Sequence, residues 1–176
     1  RYMRACHRRT VHISIGRLTV LYQWGENRTG MSTVYLARNE RANKNWAVKE
    51  VRKSGVNQDQ VVEQSLLTEV EIMKHLNNPH LPSIIDVIDI DDTFVIVMDF
   101  VEGNSLEKVL EHGSVSEIQV IDLAKQLCDV LLYLHSCNPP IIYRDMKPAN
   151  IVLRPDGVVM LLDFGTAKEY KYDESG

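Results

Sequence analysis

Asp145, Lys147 and Asn150 stand together in the run Tyr143-Arg144-Asp145-Met146-Lys147-Pro148-Ala149-Asn150, and Asp163-Phe164-Gly165 follows soon after. Between them lies Asp156-Gly157, a strong hairpin signal. If those two residues form the turn, Asn150 faces Asp163 across the hairpin. An amide oxygen and a carboxylate at one end of a hairpin suit a hard cation such as magnesium. That ion binds through few protein oxygens and completes its shell with the phosphates of a nucleotide. Asp145 lies on the same loop as Asn150, within reach of an incoming hydroxyl. Lys147 adds positive charge where a transferred phosphoryl group needs it. Singly, each residue is ordinary loop chemistry, because Asp, Asn, Pro and Gly are turn formers. Asp-x-Lys-Pro-x-Asn followed by Asp-Phe-Gly is much harder to explain that way.

A carboxylate on an apolar stripe is the second anomaly. Val62, Leu66, Met73 and Leu76 recur at helical spacing, and Glu69 falls in the same row. A buried charge is costly unless it is paired, so a basic partner is expected from a neighbouring sheet. In Trp46-Ala47-Val48-Lys49-Glu50-Val51, residues Ala47, Lys49 and Val51 share one face. Lys49 is therefore the best candidate. A small Ala beside a Lys suits a flat ring near Ala47 and a phosphate near Lys49. Taken singly, Glu69 also fits a partly exposed helix-edge carboxylate, and Lys49 an edge-strand charge.

These residues need a frame. Residues 18–23, 33–37 and 46–51 are rich in β-formers and predict strands; 84–90 and 93–98 predict a second pair joined by Asp91-Asp92. Residues 58–76 predict one helix and 116–136 another, with Ser116 and Gln119 as a capping box. Apolar residues are so dense in the second helix that most of it is expected to be buried. Glu102-Gly103-Asn104 reads as a loop, with a natural hinge at 99–104. From residue 141 short strands and loops return.

Composition restricts the partners. The chain has 176 residues, is 44% hydrophobic and 25% charged, and carries a formal net charge of -4. This is an ordinary globular balance with no general reason to expect nucleic acid. Arg1, Arg4, Arg8, Arg9 and Arg17 make residues 1–17 a basic arm, read as solvated. Cys6, Cys128 and Cys137 fit no zinc pattern, and their odd number argues against a disulfide framework. Cys128 reads as a small core residue. The setting expected is reducing and cytoplasmic. No signal peptide or apolar run of membrane-spanning length stands out.

The motifs resemble those of the protein kinase family. Trp46-Ala47-Val48-Lys49 resembles the family's Val-Ala-Ile-Lys strand, and Glu69 falls where its helix glutamate sits. Tyr143-Arg144-Asp145, Lys147 and Asn150 resemble the catalytic loop, and Asp163-Phe164-Gly165 the metal-binding triplet. Lys147-Pro148 resembles the serine/threonine branch. Tyr143, where the family usually has histidine, together with 30–37 and Phe164-Gly165-Thr166-Ala167, is similar to the bacterial eukaryotic-like kinases. The resemblance implies an α+β, bilobal fold. Residues 18–98 would form a strand-rich small lobe, 99–104 the hinge, and 105–176 the first part of a helical large lobe. It implies transfer of the ATP γ-phosphoryl group to Ser or Thr of a protein substrate, with ATP and Mg2+ as cofactors. Asp145 and Lys147 would be catalytic and Asn150 and Asp163 would hold the metal. Lys49, Glu69, Val34, Ala47, Asp99, Val101, Gly25, Gly30 and Ser32 would form the ATP site. Met98 would be the gatekeeper, and Asp99, Phe100 and Val101 the hinge that meets adenine.

Two departures stand beside the resemblance. The glycine-rich phosphate loop, counted back from Val34, has Ser32, Thr29 and Asn27 where glycines or Ser are expected. Gly25 and Gly30 are near but out of register, so either the phosphate grip is weakened or Gly25 serves through a local bulge. After Gly165 only 11 residues follow, and the remaining helices of the large lobe are absent. A truncated lobe implies a fragment of a longer protein, with dimerisation or a partner covering helix 116–136. A pseudokinase or nucleotide-binding regulatory module is the alternative reading, and an inactive fragment of an active kinase is another.

Overall fold

β-branched and aromatic residues at alternating positions fold into a five-stranded antiparallel sheet. Its strands are β1 (Leu18–Glu26), β2 (Ser32–Asn39), β3 (Lys44–Arg52), β4 (Ile84–Ile90) and β5 (Thr93–Asp99). The order is β1-β2-β3-β5-β4. The computed structural model describes residues 18–26, 32–39, 42–52, 59–90 and 93–171, with side chains at 33–39, 42–51, 67–90 and 93–171. The first three strands run longer than the sequence predicts because cross-strand pairing recruits polar ends, such as Lys44 opposite Asn39. Pleat alternation sorts the sheet. Tyr35, Ala37, Val48, Val95 and Val97 form a buried cluster, with Trp46 and Ile88 packed on it. Val34, Leu36, Ala47, Lys49, Ile96 and Met98 occupy register positions on the other face.

The chain divides into two compact units. One comprises residues 1–60 and 84–100, and so carries the sheet; the other comprises 61–83 and 101–176. The second holds most of α1 (Asp59–Lys74), then α2 (Leu106–Glu111) and α3 (Glu117–Ser136). It also holds a three-stranded sheet, β6 (Asn104–Ser105), β8 (Ile151–Leu153) and β9 (Val159–Leu161), in the order β6-β8-β9. A short pair, β7 (Ile141–Ile142) and β10 (Lys168–Glu169), completes the unit. Of the row predicted for α1, Glu69 and Met73 are buried and Leu76 half-buried, while the side chains of Val62 and Leu66 lie outside the described residues. Helix α2 was not foreseen. Six residues are too few for periodicity, and none is buried. Its start is set by Ser105, whose Oγ accepts from the Lys108 N–H at 3.3 Å.

Three expectations are corrected here. Helix α3 has its capping box, Ser116 with Gln119, but only Val130 and Leu134 are buried in it. Ile118 is 81% and Leu132 69% exposed. Apolar density measures what a helix can bury, whereas actual burial needs a partner on each side. Cys128 lies on the exposed side and is not a core residue. The third correction concerns the β8–β9 hairpin, whose loop has three residues, Pro155-Asp156-Gly157. The Gly157 N–H donates to the Arg154 carbonyl at 3.0 Å and the Arg154 N–H to the Val158 carbonyl at 2.9 Å. Gly157 takes φ 84°, the left-handed position such a loop requires. Ile151 therefore pairs with Leu161, and Asn150 faces Leu162, not Asp163. The Leu162 N–H donates to the Asn150 carbonyl at 2.8 Å.

Candidate active site

Tyr143 organises the site in the second unit. It is 2% exposed, and its ring meets Phe164 edge-on at 5.2 Å between centroids. Its hydroxyl donates to the Leu162 carbonyl, while the Leu162 N–H is held by Asn150. The residue before Asp163 is thus fixed on both sides. Burial pushes the phenol well above its ordinary range. The Asp163 carboxylate adds to this, a hydrogen bond with Asn150 opposes it, and Asp145 and Glu69 add smaller contributions. Tyr143 consequently remains a protonated donor, and four candidate site residues lie close enough to act on one phenol.

Asp145 carries the densest contacts. Its Oδ2 accepts from Lys147 Nζ at 2.6 Å and from Asn150 Nδ2 at 2.9 Å. Asn150 Nδ2 also donates to the Asp145 carbonyl at 3.1 Å. The Lys147 hydrogen bond, chiefly, holds the Asp145 carboxyl below the usual carboxylate range. Desolvation works against it, and Asn150 and the Lys147 charge add to the lowering. The 3-10 turn Pro148–Asn150 brings these groups together, with Asn150 buried and Lys147 on the rim.

Backbone conformation sets the aim of the flanking residues. Arg144 has φ 69° and Asp163 φ 62°, left-handed values that cost roughly 1–3 kcal/mol for a residue with a side chain, less for Asp. Both are tied down by their surroundings. Arg144 Nε donates to the Thr166 carbonyl at 2.6 Å, and Thr166 Oγ1 to the Tyr143 carbonyl at 3.4 Å. The Gly165 N–H donates to Asp163 Oδ1 at 3.2 Å. A Cβ on Gly165 would stand 3.2 Å from that oxygen and 3.6 Å from Glu69 Oε2. The missing side chain lets the Asp163 carboxylate approach this turn closely, while the Glu69 distance would be an ordinary contact.

Asn150 and Asp163 do not face each other in register, yet neither lies on an extended pleat. The ladder ends at Ile151 and Leu161, Asn150 is in the 3-10 turn, and Asp163 is left-handed. Alternation therefore stops assigning faces there. The donor set, one carboxylate and one amide, fits a hard cation that takes its other oxygens from elsewhere. Among the described residues no group of three or more His, Cys, Asp or Glu is placed to hold a metal alone.

In the first unit, Lys49 stands opposite Val34 and Ile96, and Ala47 opposite Leu36 and Met98. Val34, Ala47 and Lys49 thus share a face, as the pattern implies. Gly25 stands opposite Val34 and Ser32 opposite Val51; Gly30 lies outside the described residues. The register of β1 shifts by one residue between Gln23 and Gly25, a bulge that carries Gly25 into its place opposite Val34. Asp99 pairs with Trp46, so its side chain belongs to the opposite face. There its Oδ1 meets Lys44 Nζ at 3.2 Å, and that ammonium sits 4.1 Å from the Trp46 ring centroid. Val101 begins the second segment of the second unit and is half-buried.

Sequence reasoning passed over Gln126 and His80. Gln126 Oε1 accepts from the Val159 N–H at 2.8 Å. His80 lies 2.8 Å from the Val159 carbonyl through Nδ1. Gln126 carries a readable signal. It lies three residues after Leu123 and four before Val130, a polar residue on a buried row like Glu69.

The protein kinase domain model matches residues 28–175. Myosin light chain kinase A of Dictyostelium discoideum is 33% identical over 154 residues, which is 84% of this chain and 51% of that protein. Serine/threonine-protein kinase 36 of Pongo abelii is 36% identical over 149 residues, 85% of this chain and 11% of that protein. A probable serine/threonine-protein kinase of Clostridium perfringens is 35% identical over 140 residues, 79% of this chain and 20% of that protein. The chain spans about half the length of the first of these relatives and a fifth or less of the other two.

Proposed function

The chain belongs to the protein kinase family, and from that premise we propose that it is the nucleotide-binding and catalytic part of a serine/threonine protein kinase. Its fold is the α+β kinase fold, of which the chain covers a part. The proposed division is a basic arm at 1–17, a small lobe at 18–98, a hinge at 99–104 and a large lobe begun at 105–176. Asp145 orients the substrate hydroxyl and accepts its proton. Lys147, already 2.6 Å from Asp145, steadies the transferred phosphoryl group. Lys49, paired with Glu69, holds the α- and β-phosphates of ATP. Ala47 and Val34 line the adenine, and the backbone of Asp99 and Val101 receives it. The shift in β1 supports Gly25 as a phosphate-loop glycine. Asn150 and Asp163 hold magnesium, which neutralises phosphate charge when bound with the nucleotide. Ser/Thr preference is supported by Lys147-Pro148 and by the names of the relatives.

One observation carries this reading: the Asp145 carboxylate is oriented by Lys147 and Asn150 together. In the full-length protein, transfer from γ-labelled ATP to Ser, Thr and Tyr peptides tests it. Asp145→Asn is expected to lower the rate by about 10²–10⁴-fold, with Ser or Thr as acceptor. An undiminished rate, or transfer to Tyr alone, overturns it. Replacing Lys147 by Met should raise the acid limb of the rate profile, because the depressed Asp145 carboxyl returns towards its ordinary value. The measurement is kcat/KM against pH.

A further inference from the structure

Strand β9 has two edges, and only one is a ladder. Across the hairpin the Arg154 N–H donates to the Val158 carbonyl and the Leu162 N–H to the Asn150 carbonyl. By alternation the N–H and C=O groups of Val159 and Leu161 therefore point away from β8. Both residues are 0% exposed, so water is not available to satisfy those groups. Their partners come from outside any strand. The Val159 N–H goes to Gln126 Oε1 at 2.8 Å, and the Leu161 N–H to the His80 carbonyl at 2.8 Å. His80 Nδ1 meets the Val159 carbonyl at 2.8 Å. Gln126 also reaches the loop, its Nε2 donating to the Gly157 carbonyl at 3.1 Å and to Asp122 Oδ2 at 3.0 Å.

We propose that Gln126 is a positioning residue for the hairpin: its amide stands in for a missing strand at the loop end of β9 and steadies the strand whose other end leads into Asp163. The proposal rests on the kinase reading for its consequence, but not for its geometry. The amide orientation is determined by its neighbours. Its oxygen must meet an N–H at Val159, and its nitrogen must meet two acceptors, Gly157 and Asp122. No hydrocarbon isostere can do either, and a carboxylate can do only the first. Asp163 lies two residues beyond Leu161. Released from Gln126, the loop end of β9 is free to shift. Leu161 and Leu162 are held separately by His80, Tyr143 and Asn150, so only part of that shift reaches Asp163, and hard-cation sites respond to small displacements of their ligands.

The test uses the full-length protein and Mg2+ as the probe. In Gln126→Leu, half-saturating Mg2+ for phosphotransfer should rise by about tenfold, with the peptide KM unchanged. Gln126→Glu keeps the bond to the Val159 N–H and should rise less, by about threefold. It also keeps the side-chain volume if the Leu variant does not fold. Amide exchange at Val159 should quicken strongly in Gln126→Leu and little in Gln126→Glu. Asp122→Asn, which leaves both hairpin bonds in place, should show the wild-type Mg2+ dependence. Mg2+ curves of both Gln126 variants that superimpose on wild type overturn the proposal. So does a peptide KM that moves as far as the Mg2+ dependence. Wild-type protein that transfers no phosphoryl group would instead refute the kinase reading. The exchange rate at Val159 then decides the role of Gln126 at β9 by itself, with an unchanged rate in Gln126→Leu overturning it.

Discussion

The β8–β9 hairpin and helix α3 invert the usual relation between apolar content and burial. The hairpin strands have three residues each, and five of those six are buried. Helix α3 has 20 residues and buries two. The hairpin is covered by β6 on one edge, by Gln126 and His80 on the other, and by the Tyr143–Phe164 pair near its end. Helix α3 meets the hairpin along one row and leaves Ile118, Ile121 and Leu132 exposed. Burial thus follows the number of elements within reach, and composition only sets what could be gained from it.

Substitutions in the two regions should differ accordingly. Leu161→Ala is expected to cost about 2–5 kcal/mol in denaturant unfolding, since Leu161 is fully enclosed. A cost below 1 kcal/mol would mean that the hairpin is less tightly packed than its burial implies. Gly103→Ala comes next. Its Cβ would stand 2.4 Å from the Leu153 carbonyl oxygen, a backbone atom of β8, at φ 147°. Gly113 has nearly the same φ, 145°, with nothing within 4 Å. Gly103→Ala should therefore exceed Gly113→Ala by about 1–3 kcal/mol in matched melts, and equal costs would assign both to backbone strain alone. Ser116→Ala removes one half of the α3 capping box and should cost about 1 kcal/mol. Leu132→Ala, on the exposed face, should stay within about 0.5 kcal/mol in the chain of residues 1–176. The same substitution in full-length protein sharpens the comparison, because a cost several times larger there would reveal a cover over α3.

Part of the candidate site was legible because the proposed chemistry calls for unusual residues in ordinary surroundings. Glu69 stood out as a charge on an apolar row and is 4% exposed. The same logic applied to α3 would have singled out Gln126. The Asp156-Gly157 pair marked the hairpin but not its loop length, since Asp-Gly serves two-residue and three-residue loops alike. That ambiguity moved the partner of Asn150 from Asp163 to Leu162. The left-handed backbones of Arg144 and Asp163 leave no trace in composition, because no glycine announces them. The bulge that brings Gly25 opposite Val34 was readable only as a requirement of the phosphate loop. Cys128 was misplaced for the same reason as α3 itself: periodicity gives the row, not the neighbour that covers it.

The left-handed Asp163 also bears on how the protein can change by mutation. Glycine is the residue most at ease at φ 62°, and Asp163 is exposed, so Asp163→Gly relieves backbone strain without opening a cavity, against the loss of the Gly165 N–H bond to Oδ1. It also removes the carboxylate that the proposed reaction needs. On the proposed reaction, selection for thermal resistance alone would favour at this position a variant without the metal carboxylate, while selection for activity would retain the less comfortable residue. On that reading, position 163 is a point where durability and catalysis would pull the sequence in opposite directions.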